Sequence, residues 1–573
     1  MAGRTAADSM ESFDFVIVGG GNAGCVLAER LSAGGRHSVL LLEAGGRDSG
    51  FWIPIPAGFS KLLVNDVYNW RFATEPEDSV KGRSIAIPRG KGLGGSTLIN
   101  GMIYVRGQPQ DYDTWAQMGC TGWAFDDVLP YFRKLEAFDG AADETRGRDG
   151  PLAVTTVTER PALAEAFIAA AGEAGFPRNR DYNGRDQEGF GYYQVNQRNG
   201  RRVSAANAYL RPARGRPNLA VRTHAHVLSV DFDGRRATGV TYRSGGRDVS
   251  VKARGEVILA AGAVQTPQLL ELSGVGDPTV LTGLGLPVRH ALAGVGANYM
   301  DHFCTRMNWR VKQKVTLNEA TRGYRLALAV AQYFLTRKGI LTLGTGLAHG
   351  FVRTRPELAG PDIQYFFMHA SYANAAERRL DREPGMTIGV TQLRPESRGS
   401  IHARSPDPLA PPVIRPNFLA AQVDRDCMVE GMRIARRIVE QPAMDAFRSH
   451  EMSPGPDCRN YDDWLDFARS NGQTIYHACG TCRMGTDEQA VVDPRLRVRG
   501  LQGLRVVDAS IMPTIVSANT QAAVFMIAEK GADLILADAA QHWDVGSGFS
   551  TPAMVSRIPA GPTEENAGHG RGA

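Results

Sequence analysis

Apolar and polar positions near the N-terminus follow the pattern of a strand, a tight turn, a helix and a second strand. Residues 13–18 form a β-rich apolar run that leads directly into a glycine cluster. Residues 25–31 carry apolar side chains at helical spacing, and residues 38–42 are again apolar and strand-like. These periods predict a strand–turn–helix–strand unit at the start of the chain.

Later apolar runs predict two kinds of sheet. Residues 256–260 and 504–507 resemble the first strands, and a helical pattern follows at 520–537. Residues 363–368 and 386–393 are typical of antiparallel strands, and residues 422–439 predict an amphipathic helix. We therefore expect one α/β domain assembled from residues 11–155, 200–305 and 475–540, covered by a second domain at 156–199 and 306–474. Residues 541–573, rich in Gly, Ser, Pro and Ala, are expected to form a flexible tail.

The glycine cluster has the spacing of a dinucleotide-binding turn. Gly19-x-Gly21-x-x-Gly24 stands between the predicted strand and helix, where glycine permits a tight turn and close approach to a pyrophosphate. Glu43, at the end of the next strand, is placed to accept hydrogen bonds from ribose hydroxyls. The alternative is a glycine-rich turn without a ligand, which the strand and helix context disfavours. The motif by itself does not distinguish FAD from NAD.

Composition narrows the classes of function. The chain has 573 residues, 43% of them hydrophobic, and its 65 basic and 60 acidic side chains nearly cancel. Without clustered Lys and Arg, no nucleic-acid partner is expected. The seven cysteines, an odd and scattered set, suit a reducing compartment rather than a disulfide framework. With no apolar signal core and no run long enough to span a bilayer, the sequence predicts a cytoplasmic protein, with peripheral membrane contact left open.

Three blocks of sequence resemble the signatures of the glucose–methanol–choline oxidoreductases, and in particular their bacterial choline dehydrogenase-like members. PRGKGLGGSTLING at residues 88–101 resembles the first signature, and GAVQTP at 262–267 with SGVG at 273–276 resembles the second. The third block runs from His477 through GTCRMG, VDP and DAS to Asn519 and Thr520. The blocks occur in the family's order and span nearly the whole chain.

The resemblance implies an α/β fold in which a Rossmann-like FAD-binding domain, built from discontinuous segments, carries a substrate domain with an antiparallel sheet flanked by helices. FAD is expected between the two domains. Some members tether FAD through a histidine of the first signature, but the matching residue here is Ile99, so the FAD is expected to be non-covalent. The residues expected to contact it are Gly19, Gly21, Asn22, Ala23, Gly24, Glu43, Ala44, Arg89, Gly94, Gly95, Ser96, Asn100, Gly101, Val227, Asp508, Ala509, Asn519, Thr520 and Gln521.

Some of these assignments have a purely structural alternative. Val227, implied to lie beside the adenine, is on sequence alone better explained as an ordinary strand residue. Asp508 is a candidate for the ribityl chain, but an aspartate at the end of a strand is more often a cap or turn residue. The backbone N–H groups of Thr520 and Gln521 are hypothesised to point at flavin N1 and O2, where negative charge gathers on reduction.

The resemblance implies that His477 is the catalytic base and Asn519 its partner. An imidazole, with an ordinary pKa of about 6.5, accepts a proton near neutrality. An amide donates a hydrogen bond to a developing alkoxide without competing for the proton. The alternatives are a structural histidine satisfied in the core and, for Asn519, an N-cap of the following helix.

Candidates for the substrate pocket, beside His477, are Tyr104 and Tyr476, which flank matched blocks, and Phe366, on a predicted strand of the covering domain. Of the run Tyr365-Phe366-Phe367, only alternate members can face the flavin. No metal site is expected, because Cys479-x-x-Cys482 has no second pair elsewhere. The pair Asp301-His302 resembles a family motif, but a structural hydrogen-bonded pair is the better interpretation.

The predicted function is FAD-dependent oxidation of a primary alcohol to the aldehyde, by proton abstraction and hydride transfer to flavin N5. The expected acceptor is quinone-like or O₂, with a dehydrogenase favoured. A lyase of the hydroxynitrile type and a light-driven fatty-acid decarboxylase share the implied fold; the latter lack a histidine matching His477. A non-catalytic flavin-binding scaffold is a third alternative.

Overall fold

Two seven-stranded sheets form the frame of the molecule. The computed structural model describes residues 10–141, 143–374 and 378–543. In chain order, the strands of the two sheets are β1 (Ser12–Val18), β2 (Val39–Leu42), β3 (Gly189–Tyr192), β4 (Leu219–Arg222), β5 (His226–Asp233), β6 (Arg236–Ser244), β7 (Arg247–Leu259), β8 (Phe303–Val311), β9 (Ala348–Val352), β10 (Ile363–Met368), β11 (Gly385–Gln392), β12 (Arg448–Ser453), β13 (Gln473–Thr474) and β14 (Leu504–Val506).

Helices and short elements connect and cover these sheets. The α-helices are α1 (Asn22–Ser32), α2 (Phe59–Leu62), α3 (Pro109–Gln117), α4 (Phe125–Leu135), α5 (Ala162–Glu173), α6 (Arg211–Ala213), α7 (Gly262–Leu272), α8 (Pro278–Gly283), α9 (Leu317–Ala320), α10 (Gly323–Thr336), α11 (Gln422–Val439), α12 (Tyr461–Asn471) and α13 (Gln521–Trp543). Short 3₁₀ turns lie at Ala33–Gly35, Pro56–Gly58, Asp78–Val80, Gly95–Leu98, Ile340–Thr342, Pro442–Met444 and Ala509–Ile511, and a π-helical turn at Ala206–Leu210. Small ladders pair Phe72–Ala73 with Ala86–Ile87, Gln197–Arg198 with Arg201–Arg202, Val275–Gly276 with His290–Ala291, Tyr372–Asn374 with Arg379–Leu380, and Ser400–His402 with Val413–Arg415. In a three-stranded ladder, Leu152–Thr156 lies between Glu136–Phe138 and Gln194–Val195.

The first sheet has the order β4-β2-β1-β7-β6-β5, and β14 also pairs with β7. Its nucleotide half is parallel, whereas β5 and β6 extend it as antiparallel strands. All four residues of β2 are buried, as expected for a parallel strand covered on both faces. Helix α1 packs against α13 beside this sheet. The prediction that distant apolar segments form one sheet is therefore confirmed.

The second sheet has the order β12-β8-β11-β10-β9-β3, with β13 paired to β8, and its pairings are antiparallel. Helix α11 covers one of its faces. The register places Arg306, Gly389 and Phe366 in one row across β8, β11 and β10. This row belongs to the face that looks onto the cavity described below.

Most predicted elements agree with the structure. Strand β10 and helix α11 match their predicted residues throughout, and β11 begins and ends one residue earlier than predicted. Helix α13 continues to Trp543, so residues 541–543 are helical and the predicted tail starts too early. The rest of that tail lies outside the described residues. Within the described ranges, no helix combines the length and apolar character that crossing a bilayer requires.

Candidate active site

A cavity between the two sheets collects nearly all of the predicted site residues. The predicted cofactor residues that line it are Gly19, Gly21, Asn22, Ala23, Glu43, Ala44, Arg89, Gly95, Ser96, Asn100, Gly101, Val227, Asp508, Ala509, Asn519, Thr520 and Gln521. His477, Phe366 and Tyr476 line it as well. Segments distant in sequence therefore meet at one site.

Two predicted cofactor residues, Gly24 and Gly94, are not part of the cavity lining. A Cβ on Gly24 would stand 1.8 Å from the Gly19 carbonyl oxygen, so only glycine lets α1 pack this closely on the turn after β1. Gly94 has a φ of 105° and donates its N–H to the Gly20 carbonyl at 2.7 Å. Both glycines therefore support the turns at the nucleotide end without lining the cavity themselves.

The carboxylate of Glu43 holds the nucleotide end together. It accepts backbone N–H groups from Gly20 at 2.8 Å, Gly45 at 2.7 Å and Gly92 at 3.0 Å. Burial raises the pKa of Glu43, and these hydrogen bonds oppose that rise. Since a carboxylate offers about four lone-pair positions, one position is left for a ribose hydroxyl.

The residues at this end fit a dinucleotide. Helix α1 begins at Asn22, and its N-cap Gly21 provides no side-chain cap, so first-turn N–H groups are available at the cavity wall. Arg89 Nη1 donates to the Tyr476 carbonyl at 2.6 Å, whereas its Nη2 is buried without a partner among the described residues. A buried guanidinium nitrogen without a partner beside a cavity needs an acceptor from a ligand. Ile99, buried at the lining, has no atom that could bond covalently to a flavin.

Asp508 shows the structural role that the sequence left as an alternative. Its carboxylate accepts Gly262 N and Ser510 N at 2.8 Å, and the hydroxyls of Thr266 and Ser510 at 2.6 Å. These four hydrogen bonds use the lone pairs of both oxygens, which favours a cap over a ribityl ligand. Val227 lies half-buried on β5, at the cavity wall.

His477 is held at three points. Its backbone N–H donates to Asp301 Oδ1 at 2.7 Å, its Nδ1 lies 2.8 Å from His302 Nδ1, and its Nε2 lies 3.2 Å from Asn519 Nδ2. The prediction that His477 and Asn519 come together is consistent with this geometry. Asp301 also accepts the His302 N–H at 2.8 Å and the Tyr299 hydroxyl at 2.8 Å.

The hydrogen bonds around His302 fix the tautomer of His477. His302 Nε2 lies 3.0 Å from the Leu393 carbonyl, which can only accept, so Nε2 carries the hydrogen. Burial lowers the pKa of His302 to about 4, so the ring is neutral and its Nδ1 is an acceptor. His477 Nδ1 must then donate to it. The lone pair of His477 is therefore on Nε2, the nitrogen beside Asn519.

Asn519 is oriented by a residue that the sequence did not suggest. Gln364 Nε2 donates to Asn519 Oδ1 at 3.2 Å, which turns the Asn519 amide N–H₂ toward His477. Asn519 stands two residues before the start of α13, and the Thr520 carbonyl accepts the Val524 N–H. Thr520, rather than Asn519, thus occupies the cap position.

The electrostatics of the site keep His477 unprotonated. Burial, followed by the neighbouring His302 and Arg89, lowers the pKa of His477 well below its usual value. The imidazole is therefore unprotonated at neutral pH. The carboxylate of Asp301 accepts the backbone N–H of His477 and is not hydrogen-bonded to its ring.

Sequence reasoning missed three positioning residues: Asp301, His302 and Gln364. The first two were interpreted as a structural pair, whereas the structure connects both to His477. Their motif was the available signal. Gln364 lies two positions before Phe366 on β10, so the strand alternation was the signal for its orientation.

Tyr104 is a wrong candidate for the pocket. Its side chain is fully buried away from the cavity, and its carbonyl accepts the Tyr182 hydroxyl at 3.0 Å. On β10, Phe366 lines the cavity, whereas Tyr365 bonds to the Gly431 carbonyl in the core. Alternation along the strand places its neighbours in this way.

Cys479 and Cys482 are buried free thiols. Burial raises the pKa of both thiols, so neither is a reactive thiolate. Among the residues that the structure describes, no group of His, Cys, Asp or Glu side chains is arranged to hold a metal ion.

Comparison with known proteins identifies the family. Models described as GMC oxidoreductase match residues 13–304 and 395–528. The chain is 43% identical to an oxygen-dependent choline dehydrogenase of Klebsiella pneumoniae, over 91% of this chain and 96% of that one, and 42% identical to one of Escherichia coli, over 91% and 94%. It superposes on a pyridoxine 4-oxidase from Mesorbium loti with a TM-score of 0.83 and 31% identity, covering 91% and 98% of the two chains. For an Aspergillus oryzae formate oxidase the values are 0.85 and 27%, covering 94% and 100%.

The chain belongs to the GMC oxidoreductase family. It is an FAD-dependent oxidoreductase that acts on CH–OH donors, and its FAD is bound non-covalently. The relatives are named as oxidases and dehydrogenases, which leaves the lyase alternative without support.

Proposed function

We propose that the protein oxidises a primary alcohol to the aldehyde, with His477 as the base and Asn519 as the group that holds the oxygen. The hydrogen-bonded series from Leu393 through His302 to His477 carries this proposal, because it leaves the Nε2 lone pair beside the cavity. An alcohol oxygen bound between His477 Nε2 and the Asn519 amide would lie within hydrogen-bonding reach of both. When bound, FAD supplies the acceptor for the carbinol hydride.

The chain's own residues account for the proton. His477 Nε2 takes the hydroxyl proton, while its Nδ1–H stays bonded to His302. Asn519 donates to the oxygen as negative charge develops there, and Gln364 keeps that amide from rotating. Asp301, bonded to the backbone of both histidines, holds the two rings in place.

We further propose that the segments 11–155, 200–305 and 475–540 form the FAD-binding domain, and that 156–199 and 306–474 form the substrate domain. In support, the strands of the first sheet all lie in the former segments. Strand β8 of the second sheet begins at Phe303, which moves that boundary a few residues earlier.

We propose that electrons leave to a quinone in the membrane, reached by peripheral attachment through α10. This helix is rich in Ala and Leu, yet Tyr333 is its only buried side chain. Leu335 is 84% exposed and Tyr324 is 72% exposed. Exposed Phe51 stacks on Phe334 and enlarges the apolar surface. Thr345, which lines the cavity, follows shortly after the end of the helix.

The charges around α10 favour an anionic lipid surface over a second copy of the chain. Residues 320–356 contain no Asp or Glu. Arg322 and Arg325 lie at the start of the helix, and Arg337 and Lys338 directly follow its end. Exposed apolar side chains with flanking cations are typical of helices that lie in the plane of a membrane interface. Two copies meeting here would bring like charges together.

Vesicle sedimentation tests this attachment. The wild-type holoenzyme should sediment with phosphatidylglycerol vesicles and less with phosphatidylcholine vesicles, and Leu328→Glu with Leu335→Glu should abolish both. Leu409→Glu, at an exposed leucine elsewhere, is the control. The membrane proposal would be wrong if the wild-type protein sediments with neither kind of vesicle, or if it dimerises through α10.

The oxidation itself is tested by an anaerobic screen of alcohols that follows bleaching of the flavin absorbance. A substrate should bleach the flavin of the wild type. Asn519→Ala should slow this bleaching by about 10- to 100-fold, which is at or below the effect of removing one hydrogen-bond donor from an oxyanion hole. Unchanged bleaching in Asn519→Ala would exclude its role. No bleaching with any alcohol would exclude the oxidation.

A further inference from the structure

Of the described residues that line the substrate side of the cavity, the charged ones are arginines. Arg306 lies on β8, in the row with Gly389 and Phe366, and lines the cavity with them. Arg378 lines the same cavity, and its Nη2 donates to the Tyr476 hydroxyl at 3.0 Å. Tyr476 directly precedes the base, so this guanidinium is tied to the reactive end of the cavity.

The described carboxylates of the cavity lining lie at the other end, where the nucleotide binds. Among the described residues that line the cavity, the acidic ones are Glu43 and Asp508. Both accept hydrogen bonds from the nucleotide-binding turns, as described above. On the substrate side, the neighbour of Arg306 is Cys304, a thiol whose pKa is raised by burial. No counter-ion for a cationic substrate is therefore present in the described part of this wall.

Arg306 has no counter-ion among the residues that the structure describes. Among the described residues its side chain makes no ion pair and no hydrogen bond, although it is partly buried. Arg310, four residues along the same strand, pairs with Asp381 at 3.0 Å and Glu383 at 3.4 Å. Partial burial of a guanidinium group without a hydrogen-bond acceptor costs free energy. An anionic ligand offsets this cost best, because the planar guanidinium can donate two hydrogen bonds to a carboxylate.

We infer that the substrate is a primary alcohol that carries an anionic group, such as a carboxylate, bound by Arg306 and Arg378. This inference rests on the proposed function and names its substrate class. The hydroxyl lies at His477 and Asn519, the carbon chain contacts Phe366 and Met368, and the anionic end lies at the guanidinium groups. The O–H proton goes to His477 and the carbinol hydride to FAD, so the anionic group keeps its charge and the product is an aldehyde.

The positive charge of Arg306 and Arg378 on the substrate side of the cavity disfavours an alcohol that carries a quaternary ammonium group. The relatives are named choline dehydrogenases, so choline is the natural reference substrate. A cationic headgroup placed beside Arg306 and Arg378 in a partly buried site is repelled by their like charge more strongly than it would be in water. Choline is therefore expected to be a poor substrate here, in contrast to a hydroxy acid of similar length.

Anaerobic flavin bleaching by three series of compounds tests the inference: ω-hydroxycarboxylates of graded length, n-alkanols of the same lengths, and choline. The wild type should show the highest kcat/KM with a hydroxycarboxylate. Arg306→Met should lower the ratio of kcat/KM for the hydroxycarboxylate over the alkanol by about 10- to 100-fold, the contribution of a charged hydrogen bond. Arg306→Lys should restore part of that ratio, because it keeps the charge but loses the fork.

Arg310→Met is the matched control, because it removes an arginine from the same strand that is already paired and does not line the cavity. It should leave the ratio unchanged. If choline or alkanols match the hydroxycarboxylates in the wild type, or if Arg306→Met leaves the ratio unchanged, the inference is wrong while the oxidation stands. If no compound of any series bleaches the flavin, the proposed function fails first.

Discussion

Replacing His302 by leucine would test whether this ring sets the reactive tautomer of His477. The substitution removes the acceptor for His477 Nδ1–H, a bond of 2.8 Å in a buried site. Leaving that donor unsatisfied costs about 1–3 kcal/mol. The ring can avoid this cost by moving its hydrogen to Nε2, which removes the lone pair from the reactive side. The population of the reactive tautomer should therefore fall by about 5- to 150-fold.

Single-turnover bleaching of the flavin measures this loss directly. We expect kcat to fall and KM to change little, because His302 does not line the cavity. His302→Gln should recover much of the rate, since its amide can accept from His477 and donate to the Leu393 carbonyl. FAD content and thermal stability should be measured for both variants.

His369→Leu is the matched control for removing a buried histidine. Its ring is buried and its pKa is lowered to about 4, but it does not line the cavity. A wild-type rate in His302→Leu, or equal losses in His302→Leu and His302→Gln with FAD retained, would refute the tautomer argument.

Three further outcomes follow from the structure. Burial lowers the pKa of His477 below the ordinary value of about 6.5 for an imidazole, so the active unprotonated form persists under acid. The value of kcat/KM should therefore stay level from about pH 8 down through 6.5 and fall only below it, whereas a midpoint above 6.5 would contradict this. Gly24→Ala should lose FAD, because its Cβ would lie 1.8 Å from the Gly19 carbonyl oxygen. Gly172→Ala, where the new Cβ would point into open space on α5, should retain FAD and raise the free energy of unfolding in urea by about 0.5–1 kcal/mol. Glu136→Gln should cost about 3–5 kcal/mol in the same assay, because it leaves buried Arg106 and Arg146 without their shared carboxylate. The exposed Glu357→Gln should cost under about 0.5 kcal/mol, and equal effects of the two would refute the burial argument.

Local periodicity explains which parts of the fold could be predicted. The strand and helix around Gly19 and the amphipathic α11 depend on patterns within a dozen or so residues, and these agree with the structure. The pairing of His477 with Asn519 came only from resemblance, since tertiary folding brings them together. Strand alternation could have placed Gln364 on the same face as Phe366, but its hydrogen bond to Asn519 could not be predicted, because Asn519 lies in a distant segment.

Tyr104 shows the opposite error. Its position beside a matched block suggested a pocket residue, but the chain turns its ring into the core. Proximity in sequence to a signature does not determine the direction of a side chain. For Asp301 and His302, the motif was visible, but its link to the base depended on the Leu393 carbonyl, which lies in a different segment.

The row formed by Arg306, Gly389 and Phe366 shares no residue with the series of hydrogen bonds that sets the base. The former is in the middle of three strands, whereas the latter depends on a main-chain carbonyl just past the end of β11. Exchanges within the row can thus alter which molecules are accepted while the protonation chemistry stays intact. Related enzymes with this fold could therefore change substrate through substitutions at these few cavity-lining positions while they keep the same oxidation chemistry.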